Sequence, residues 1–575
     1  MAHHVNLVSK GDLFMFIRCV LVSTSLFFVT TQSLHALEYG QTRQQFQNSN
    51  LNERLSVQRT LTKLGFYKSS IDGLYGRGTH SAIEQFVARL SIPEAKFSLE
   101  EILNFEYEND FAYSLELGSG ELVGEFDAFS ATGDAAEISI GPMQDLNGDG
   151  FLDIPVETFR WNHDFDPSEP TIDGFERTTK PVFMFYNSEN EKFEVNFDIQ
   201  SQIEATSRWI SEIATADINM DGTVEIFLAD TGPDQLQCGH TDRLMNITAG
   251  SVVEHPNTPN LSMYSHELVT GNFDQFDGLE FLVLPMKSIW PNKEICTYID
   301  HPMSDKPYLV FVNDDGEFDY RFIEFFDKSN KNIRRTSGDI ATALAYDFDG
   351  DGVSEILGVG EVNYSGSIIL YDQKNGYDFN EISRIDLGLN TDIQNERIVS
   401  NDILVLADED DYADVMLVMA RWGLSGYSGT FYKVVRIGSN LKLPIEDVTD
   451  VYFDFQNIAS QFLSGVSDDE SCFEASIEYF ENVNQTVLVC SFAKGDEDFF
   501  PQESYSPRVW LKNDNGFFTP VKINSESIAD AYYFMPFESK GEEYILATKE
   551  VKLGPVNWGY QIWRYPVLDI QKNQD

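Results

Sequence analysis

The sequence predicts a mainly β protein: a seven-bladed β-propeller, with six or eight blades as alternatives, preceded by a small three-helix domain. Aromatic residues make up 13% of the 575 residues, and Phe (44) and Tyr (25) far outnumber Trp (7), which favours strands. From about residue 112, short β-branched and aromatic runs alternate with Gly, Asn and Asp, and an acidic loop recurs among them. Residues 51–92 show helical spacing instead.

The N-terminus has the pattern of a secretory signal peptide over residues 1–36. Lys10 and Arg18 supply a basic region, residues 19–30 an apolar stretch, and residues 34–36 a cleavage site. The stretch is short for a membrane span of roughly 20 apolar residues, so an uncleaved anchor is the less favoured alternative. We expect an exported protein of the periplasm, cell wall or extracellular space, without a membrane span after cleavage.

Four cysteines remain after the signal: Cys238, Cys296, Cys472 and Cys490. Cysteines of exported proteins usually pair, and four allow three pairings. The preferred pairing joins sequence neighbours, Cys238 with Cys296 and Cys472 with Cys490.

The formal net charge of −53 argues against nucleic acid and anionic lipid as partners, because both are polyanions. Residues 51–105 are nearly neutral, so the acidity belongs to the remainder. A saline habitat or a demand for hard divalent cations would account for it.

Residues 37–50 are polar and aperiodic and predict a linker, and residues 93–111 predict a second one. Between them, Leu55, Leu61 and Leu64 recur at helical spacing, and Thr79 is expected to cap a second helix.

Residues 51–92 resemble the peptidoglycan-binding-like domain of bacterial wall hydrolases. The residues that carry the resemblance are Val57-Gln58, Leu61, Leu64-Gly65-Phe66-Tyr67, Ile71-Asp72-Gly73, Tyr75-Gly76, Thr79, Ala82-Ile83 and Phe86. It implies a three-helix bundle that tethers its host to peptidoglycan without cutting it. A spacer, a pro-segment and a domain that holds another protein are the alternatives.

The acidic loop occurs in full three times, at residues 145–153, 217–225 and 347–355, here called the Asp145, Asp217 and Asp347 loops. Calcium takes roughly six to eight oxygen ligands, which fits side chains at positions 1, 3 and 5, Gly at 6, a backbone carbonyl at 7 and a carboxylate at 9. The predicted calcium ligands are Asp145, Asn147, Asp149, Phe151 and Asp153; Asp217, Asn219, Asp221, Thr223 and Glu225; and Asp347, Asp349, Asp351, Val353 and Glu355.

These loops are not EF-hands, because their twelfth positions, Val156, Leu228 and Gly358, lack the required Glu and their flanks read as strands. The strand, calcium loop, strand unit resembles the FG-GAP or VCBS repeat of integrin α chains and of many exported bacterial proteins. The resemblance implies a propeller.

Degenerate copies begin near residues 272, 408, 481 and 537, of which the second keeps Asp408, Asp410 and Asp414. The complete and degenerate loops together start near residues 145, 217, 272, 347, 408, 481 and 537. This spacing of roughly 55 to 75 residues is the size of a four-stranded blade plus insertions, and it predicts seven blades over residues 112–570. Outer hairpins are predicted at 183–195, 308–318, 368–379 and 509–518. The strand around Tyr560 to Tyr565 is expected to pair with residues 112–140 and close the ring.

The sequence predicts no catalytic residue, because it contains no G-x-S-x-G, H-E-x-x-H or Walker-type motif. We therefore expect a non-catalytic, calcium-stabilised exported interaction protein, associated with the cell wall and presenting its propeller to a protein or glycan partner. The alternative is a polysaccharide-active enzyme, a lyase or hydrolase on the propeller with a wall-targeting module, since 93 acidic residues include chance carboxylate pairs.

Overall fold

The computed structural model describes residues 39–49, 54, 57–58, 61, 67, 74–89, 98–99, 102, 113–127, 137–159, 179–204, 207, 210–230, 241–248, 250–256, 265–274, 278–285, 306–329, 340–360, 367–374, 377–386, 397–409, 411–423, 426–453, 472–480, 483–492, 508–513, 516, 518–523, 531, 533–552 and 558–572. The chain divides into two compact units, residues 1–109 with 459–465 and residues 110–458 with 466–575. The predicted signal peptide, Cys238 and Cys296 lie outside the described residues.

The first unit is helical. It contains α1 (Tyr39–Asn48) and α2 (Arg77–Arg89), and residues 54, 57, 58 and 61 are helical as well. One hydrophobic core joins these parts, formed by Phe46, Val57, Leu61, Tyr67, Ala82, Ile83, Phe86, Val87, Leu99 and Ile102.

Both predicted linkers contribute to this core, so the linker prediction was wrong for Phe46, Leu99 and Ile102, which are buried. Helix α1 escaped detection because its sequence, YGQTRQQFQN, carries a single large apolar side chain after the first residue and therefore lacks a repeated apolar stripe.

A buried polar residue organises the first unit. Gln58 is fully buried, and its Nε2 donates to the hydroxyl of Tyr67 (3.0 Å) and the carbonyl of Leu74 (3.0 Å). Thr79 does not cap α2, because the helix begins at Arg77. Its hydroxyl donates instead to the Leu74 carbonyl (3.1 Å), so Thr79 fastens the turn before the helix.

In the part of the second unit that the structure describes, strands are joined by two short helices, α3 (Phe197–Gln200) and α4 (Thr449–Tyr452). Its strands are β1 (Tyr113–Leu117), β2 (Glu121–Asp127), β3 (Glu137–Ile140), β4 (Ile154–Phe159), β5 (Val182–Asn187), β6 (Lys192–Val195), β7 (Ile210–Ala216), β8 (Glu225–Asp230), β9 (Arg243–Thr248), β10 (Ser251–His255), β11 (Ser265–Gly271), β12 (Glu280–Pro285), β13 (Tyr308–Val312), β14 (Phe318–Phe322), β15 (Phe325–Phe326), β16 (Ile340–Tyr346), β17 (Glu355–Gly360), β18 (Ser367–Lys374), β19 (Asp378–Asp386), β20 (Arg397–Glu409), β21 (Tyr412–Gly423), β22 (Gly426–Gly438), β23 (Glu446–Asp447), β24 (Cys472–Phe480), β25 (Gln485–Phe492), β26 (Arg508–Lys512), β27 (Phe518–Ile523), β28 (Tyr533–Ser539), β29 (Glu542–Lys552) and β30 (Trp558–Lys572).

The described strands form five sheets in a propeller-like arrangement. Four sheets consist of β7–β10, β11–β14, β15–β19 and β20–β23, and the remaining strands form a sheet of 13. The first strands of successive sheets contact one another, β7 with β11, β11 with β16 and β16 with β20. Five sheets alone do not confirm the predicted count of seven blades.

The predicted pairing of the final strand with the N-terminal region is confirmed. Strand β30 pairs antiparallel with β2, from Glu121 opposite Arg564 to Asp127 opposite Gly559, and with β1 at its other end. The predicted hairpins are also confirmed, as β5–β6, β13–β14, β18–β19 and β26–β27. N-terminal and C-terminal strands therefore share one sheet.

The apolar core lies between neighbouring sheets. Phe227 of β8 and Phe281 of β12 are fully buried with ring centroids 5.6 Å apart, in a cluster built from both sheets. Burying one such side chain contributes about 1.5–3 kcal/mol. Packing of sheet on sheet thus fixes the positions of the loops that connect the first two strands of each sheet.

Two further findings bear on export. Cys490, on β25, is disulfide-bonded, and Cys472 begins the neighbouring strand β24, but the Cys472 side chain lies outside the described part. The predicted pairing therefore stays a prediction. Within the described residues, no helix combines the length and the apolar character that a membrane crossing requires.

Candidate metal centres

The three complete acidic loops occupy the same place in three blades. The Asp145 loop precedes β4, the Asp217 loop joins β7 to β8, and the Asp347 loop joins β16 to β17. Each therefore connects the first strand of a blade to the second.

The first Asp of each loop organises the backbone. In the Asp347 loop, Oδ1 of Asp347 accepts from the N–H of Gly350 (2.8 Å) and of Asp351 (3.1 Å), and Oδ2 accepts from Gly352 (2.9 Å). Asp145 makes the same three contacts, and Asp217 binds the N–H groups of Asp221 and Gly222.

The glycine at position 6 is required for the turn, as the sequence predicts. Gly150, Gly222 and Gly352 have φ of +88°, +85° and +88°, the left-handed region in which a side chain is strained.

The middle positions face one another across the turn. Asn147 Oδ1 accepts from the N–H of Asp149 (2.9 Å), and Asp149 Oδ1 accepts from that of Phe151 (3.0 Å). The corresponding bonds join Asn219 to Asp221, Asp221 to Thr223, Asp349 to Asp351 and Asp351 to Val353. Position 7 thus gives its N–H to position 5 and keeps its carbonyl for another partner.

We call the acid at the end of each loop the closing carboxylate: Asp153, Glu225 and Glu355. All three are buried, and each accepts from the N–H of the second loop residue, Leu146 (3.1 Å), Ile218 (2.9 Å) and Phe348 (2.8 Å). The acid is therefore held under the loop, where it faces the other carboxylates.

Burial raises the pKa of Asp153 and of Glu225 to about 7 and that of Glu355 to about 8. Neighbouring loop carboxylates add to the rise, Asp349 among them for Glu355. Repelling carboxylates in one buried place favour a proton or a cation.

The donor set fits a hard cation. One oxygen each of Asp347, Asp349 and Glu355 lie within 4.8 Å of one another. Calcium prefers oxygen ligands of this kind, and the other two loops offer an amide in place of the second carboxylate.

The degenerate copies differ from the complete loops and from each other. In the Asn272 loop (residues 272–280), the closing carboxylate Glu280 accepts from the N–H of Phe273 (2.6 Å), and burial raises its pKa to about 8. Residue Asp277 lies outside the described part.

In the Asp408 loop (residues 408–414), Asp410 lies outside the described residues, and the closing carboxylate Asp414 is fully buried. Both of its oxygens accept from Arg436, at Nε (2.7 Å) and at the terminal nitrogen (2.7 Å). The hydroxyl of Tyr452 donates to it as well (2.6 Å). A guanidinium therefore neutralises this copy.

Sequence reasoning missed a second set of acids, which join neighbouring blades. Oxygens of Glu157, Glu212, Glu267 and Asp402 accept from the backbone N–H of Ile213 (3.0 Å), Leu268 (2.6 Å), Ala343 (2.8 Å) and Ala475 (2.7 Å) in the next blade. A signal was present, because Glu212 and Glu267 both stand five residues before a loop start, Asp217 and Asn272.

The comparisons with known proteins identify one domain. A family model, PG_binding_1, described as "Putative peptidoglycan binding domain", matches residues 50–93. No curated protein matches the chain.

Solved structures resemble the chain only distantly. They include a Trypanosoma rangeli sialidase mutant displaying trans-sialidase activity, with 12% identity, a TM-score of 0.32 and coverage of 68% of this chain and 58% of that one. Polysaccharide lyase Uly1 has 11% identity and a TM-score of 0.34, covering 77% and 99%. The S. cerevisiae core factor has 8% identity and a TM-score of 0.36, covering 78% and 60%.

The chain spans less than two thirds of the length of the sialidase, and TM-scores this low carry no argument about activity. The chain thus carries a peptidoglycan-binding domain at residues 50–93, followed by a propeller-like arrangement of blades.

Proposed function

We propose that this is a non-catalytic, calcium-stabilised exported protein that associates with the cell wall and presents a seven-bladed propeller of the FG-GAP or VCBS type to a protein or glycan partner. The observation that carries the proposal is the peptidoglycan-binding family match at residues 50–93, on a chain whose second unit holds three acidic loops.

The pairing pattern supports seven blades. Within the 13-stranded sheet, β3–β6, β24–β27 and β28–β30 with β2 are antiparallel sets of four. Parallel pairing joins these sets weakly, by three residue pairs between β1 and β27 and one between β2 and β6. Three such sets and the four separate sheets add to seven blades.

Calcium is proposed on the loops because their buried closing carboxylates lie beside further acids. Asp145, Asn147, Asp149 and Asp153, with the carbonyl of Phe151, would hold the first ion. The Asp217 and Asp347 loops would hold two more with their matching residues. A cation bound only by the folded state stabilises that state.

Export is supported by the disulfide at Cys490, because such bonds persist in oxidising compartments. A non-catalytic role is supported by the burial of one cluster of a carboxylate and two hydroxyl groups. Asp242 accepts from the hydroxyls of Ser265 (2.5 Å) and Tyr308, yet all three residues are at most 2% exposed, so substrate has no access.

A partner surface is available on the second unit. A cleft of about 650 Å³ opens between β2, β6 and β30, where Phe126, Lys192, Glu194 and Gln561 are among its lining residues. Its mixture of apolar and charged groups suits a peptide or a glycan.

Sedimentation with purified wall sacculi tests the wall association. The deletion should remove residues 37–109, because Phe46, Leu99 and Ile102 share the core of the helical unit and a cut at 51–92 would expose it. The intact protein should sediment with sacculi and the deleted form should stay in solution, while both melt alike in their propeller. Equal sedimentation of the two forms would refute the anchoring role.

A further inference from the structure

Each blade with a loop also has a third strand, and one residue of that strand lies directly opposite the closing carboxylate. Glu225 pairs with Asn246, and Asp414 pairs with Arg436. Ile356 pairs with Tyr371, so the preceding residue Glu355 lies opposite Asp372. In the same way, Ile154 pairs with Met184, so Asp153 lies opposite Phe185. Directly opposite residues of antiparallel strands place their side chains on the same face of the sheet.

The chemistry at this position changes from blade to blade. It is a carboxylate at Asp372, an amide at Asn246, a hydrocarbon at Phe185 and a cation at Arg436. The loops differ in charge as well, since position 3 is Asn147, Asn219 or Asp349, but this position shows the widest range of chemistry.

Arg436 demonstrates that the place below the loop accepts positive charge. Its guanidinium binds both oxygens of Asp414 and lies 3.8 Å from the ring centroid of Tyr412. Asp414 pairs with Ala407, the residue before its loop, just as Glu355 pairs with Tyr346. Asp414 therefore has the same register as the other closing carboxylates. The Asp408 loop is two residues shorter than the complete loops, and its closing carboxylate is neutralised by a side chain of the third strand.

Asn246 supplies an independent sign of a missing ligand. The residue is 8% exposed, and its Oδ1 has no hydrogen-bond partner among the described residues. An orphaned buried amide oxygen costs free energy unless something binds it, and a hard cation below the Asp217 loop would do so.

Asp372 adds charge to the Asp347 loop. The carboxylate is partly buried and close enough to interact electrostatically with Asp349, Asp351 and Glu355. The Asp347 loop and Asp372 together carry five carboxylates, whereas the Asp217 loop carries three and has Asn246 as an additional amide.

We propose that the third-strand residue opposite the closing carboxylate sets the cation affinity of each blade: highest at the Asp347 loop through Asp372, intermediate at the Asp217 loop through Asn246, lowest at the Asp145 loop beside Phe185, and none at the Asp408 loop, where Arg436 replaces the ion. This rests on the proposed calcium binding and goes beyond it, because it ranks the sites and assigns the ranking to residues outside the loops.

Calcium titration of the chelator-stripped full chain by isothermal calorimetry tests the ranking. The intact protein should bind three ions in separable steps, and Asp347→Ala should remove the tightest. Asp372→Asn should weaken that tightest step about tenfold, and Asn246→Asp should strengthen the second by a similar factor, since affinity follows ligand charge.

The matched control is Asp315→Asn, the same chemical change at the exposed tip of the β13–β14 hairpin, outside the three complete loops. It should leave all three steps unchanged. If three ions bind and neither Asp372→Asn nor Asn246→Asp changes their affinities, the ranking is overturned but calcium binding is not. Binding of no ion would overturn the calcium part of the proposed function together with it.

Discussion

The carboxylate of Glu267, on the first strand of one blade, accepts a hydrogen bond from the backbone N–H of Ala343 on the first strand of the next, at 2.8 Å. The register of β16 shifts between Ile340 and Thr342, immediately before that N–H. A bulge leaves a strand N–H without its ladder partner, so the acid from the neighbouring blade satisfies it.

The same contact recurs around the unit. Strands β7, β11 and β24 also shift register just before the N–H groups of Ile213, Leu268 and Ala475, which bind Glu157, Glu212 and Asp402. These acids therefore join adjacent blades, whereas the loop acids are the proposed cation ligands. The extreme negative charge has at least two separate structural uses.

Replacing Glu267 should flatten the dependence of stability on pH. Burial first, and the charge of Asp402 after it, raise the pKa of Glu267 to about 8 in the folded protein. A raised folded pKa means that the stabilisation is complete below the unfolded value near 4.5 and is lost as the pH rises through 8.

Glu267→Gln keeps an acceptor for Ala343 but does not titrate. Thermal melts at pH 6 and pH 9, in saturating calcium, should show a smaller alkaline loss for the variant, by about 2–3 kcal/mol. Glu446→Gln, an exposed acid on β23, is the control and should behave as the unaltered protein. An identical alkaline loss in the Glu267→Gln variant and the unaltered protein would show that this carboxyl does not titrate in the range claimed.

Removing the guanidinium of Arg436 should destabilise the second unit strongly. Asp414 is fully buried, and the loss of one partner leaves its charge uncompensated, which costs about 3–5 kcal/mol. Arg436→Gln should lower the urea midpoint accordingly. The double change Arg436→Leu with Asp414→Leu should recover most of the loss, because no buried charge remains. Equal losses in the single and double variants would show that Arg436 does not stabilise the unit by neutralising Asp414.

A Cβ at position 6 of a complete loop should weaken ion binding as well as stability. Gly352 has φ of +88°, and an alanine in that region costs about 1–2 kcal/mol. Gly316, at a hairpin tip with φ of +78°, is the control with the same backbone cost but no loop. In chelator, Gly352→Ala and Gly316→Ala should lose similar stability. Added calcium should stabilise the Gly352→Ala variant less than the Gly316→Ala variant. Equal stabilisation of both variants by calcium would show that the turn at Gly352 does not contribute to ion binding.

Removing β30 should abolish cooperative folding of the second unit. This strand pairs with β1, β2 and β29, so its loss would open the sheet that joins the two ends of the chain. A chain ending at residue 557 should lose its sharp melting transition, whereas a chain ending at residue 572 should melt as the full protein does. A sharp transition in the shorter chain would show that closure by β30 is dispensable.

The sequence predicted features that depend on local chemistry. The turn glycines, the outer hairpins and the pairing of Tyr560 with the N-terminal strand follow from residue type and order, and all are found. The linker prediction failed at Phe46 because this apolar residue is isolated, and periodicity cannot detect a single contact. Leu99 and Ile102 stand among Phe97, Leu103 and Phe105, an apolar pattern that the linker prediction overlooked.

The acids between blades and the third-strand residues could not be assigned from one sequence. Their roles depend on which strands become neighbours, as when Arg436 meets Asp414 across 22 residues. A bulge in one blade and an acceptor in the previous one, such as Ala343 and Glu267, are linked only in three dimensions. Spacing marks Glu212 and Glu267, each five residues before a loop start, but it does not show which N–H group each acid meets.

The melting temperature of the full chain with and without a chelator tests the central claim most directly. A cation that binds only the folded state adds about 2.7 kcal/mol at a hundredfold excess over its Kd, for each site. We expect EDTA to lower the melting temperature of the second unit markedly, and excess calcium, but not sodium at equal ionic strength, to restore it. Superimposable melts in EDTA and in calcium would contradict the account.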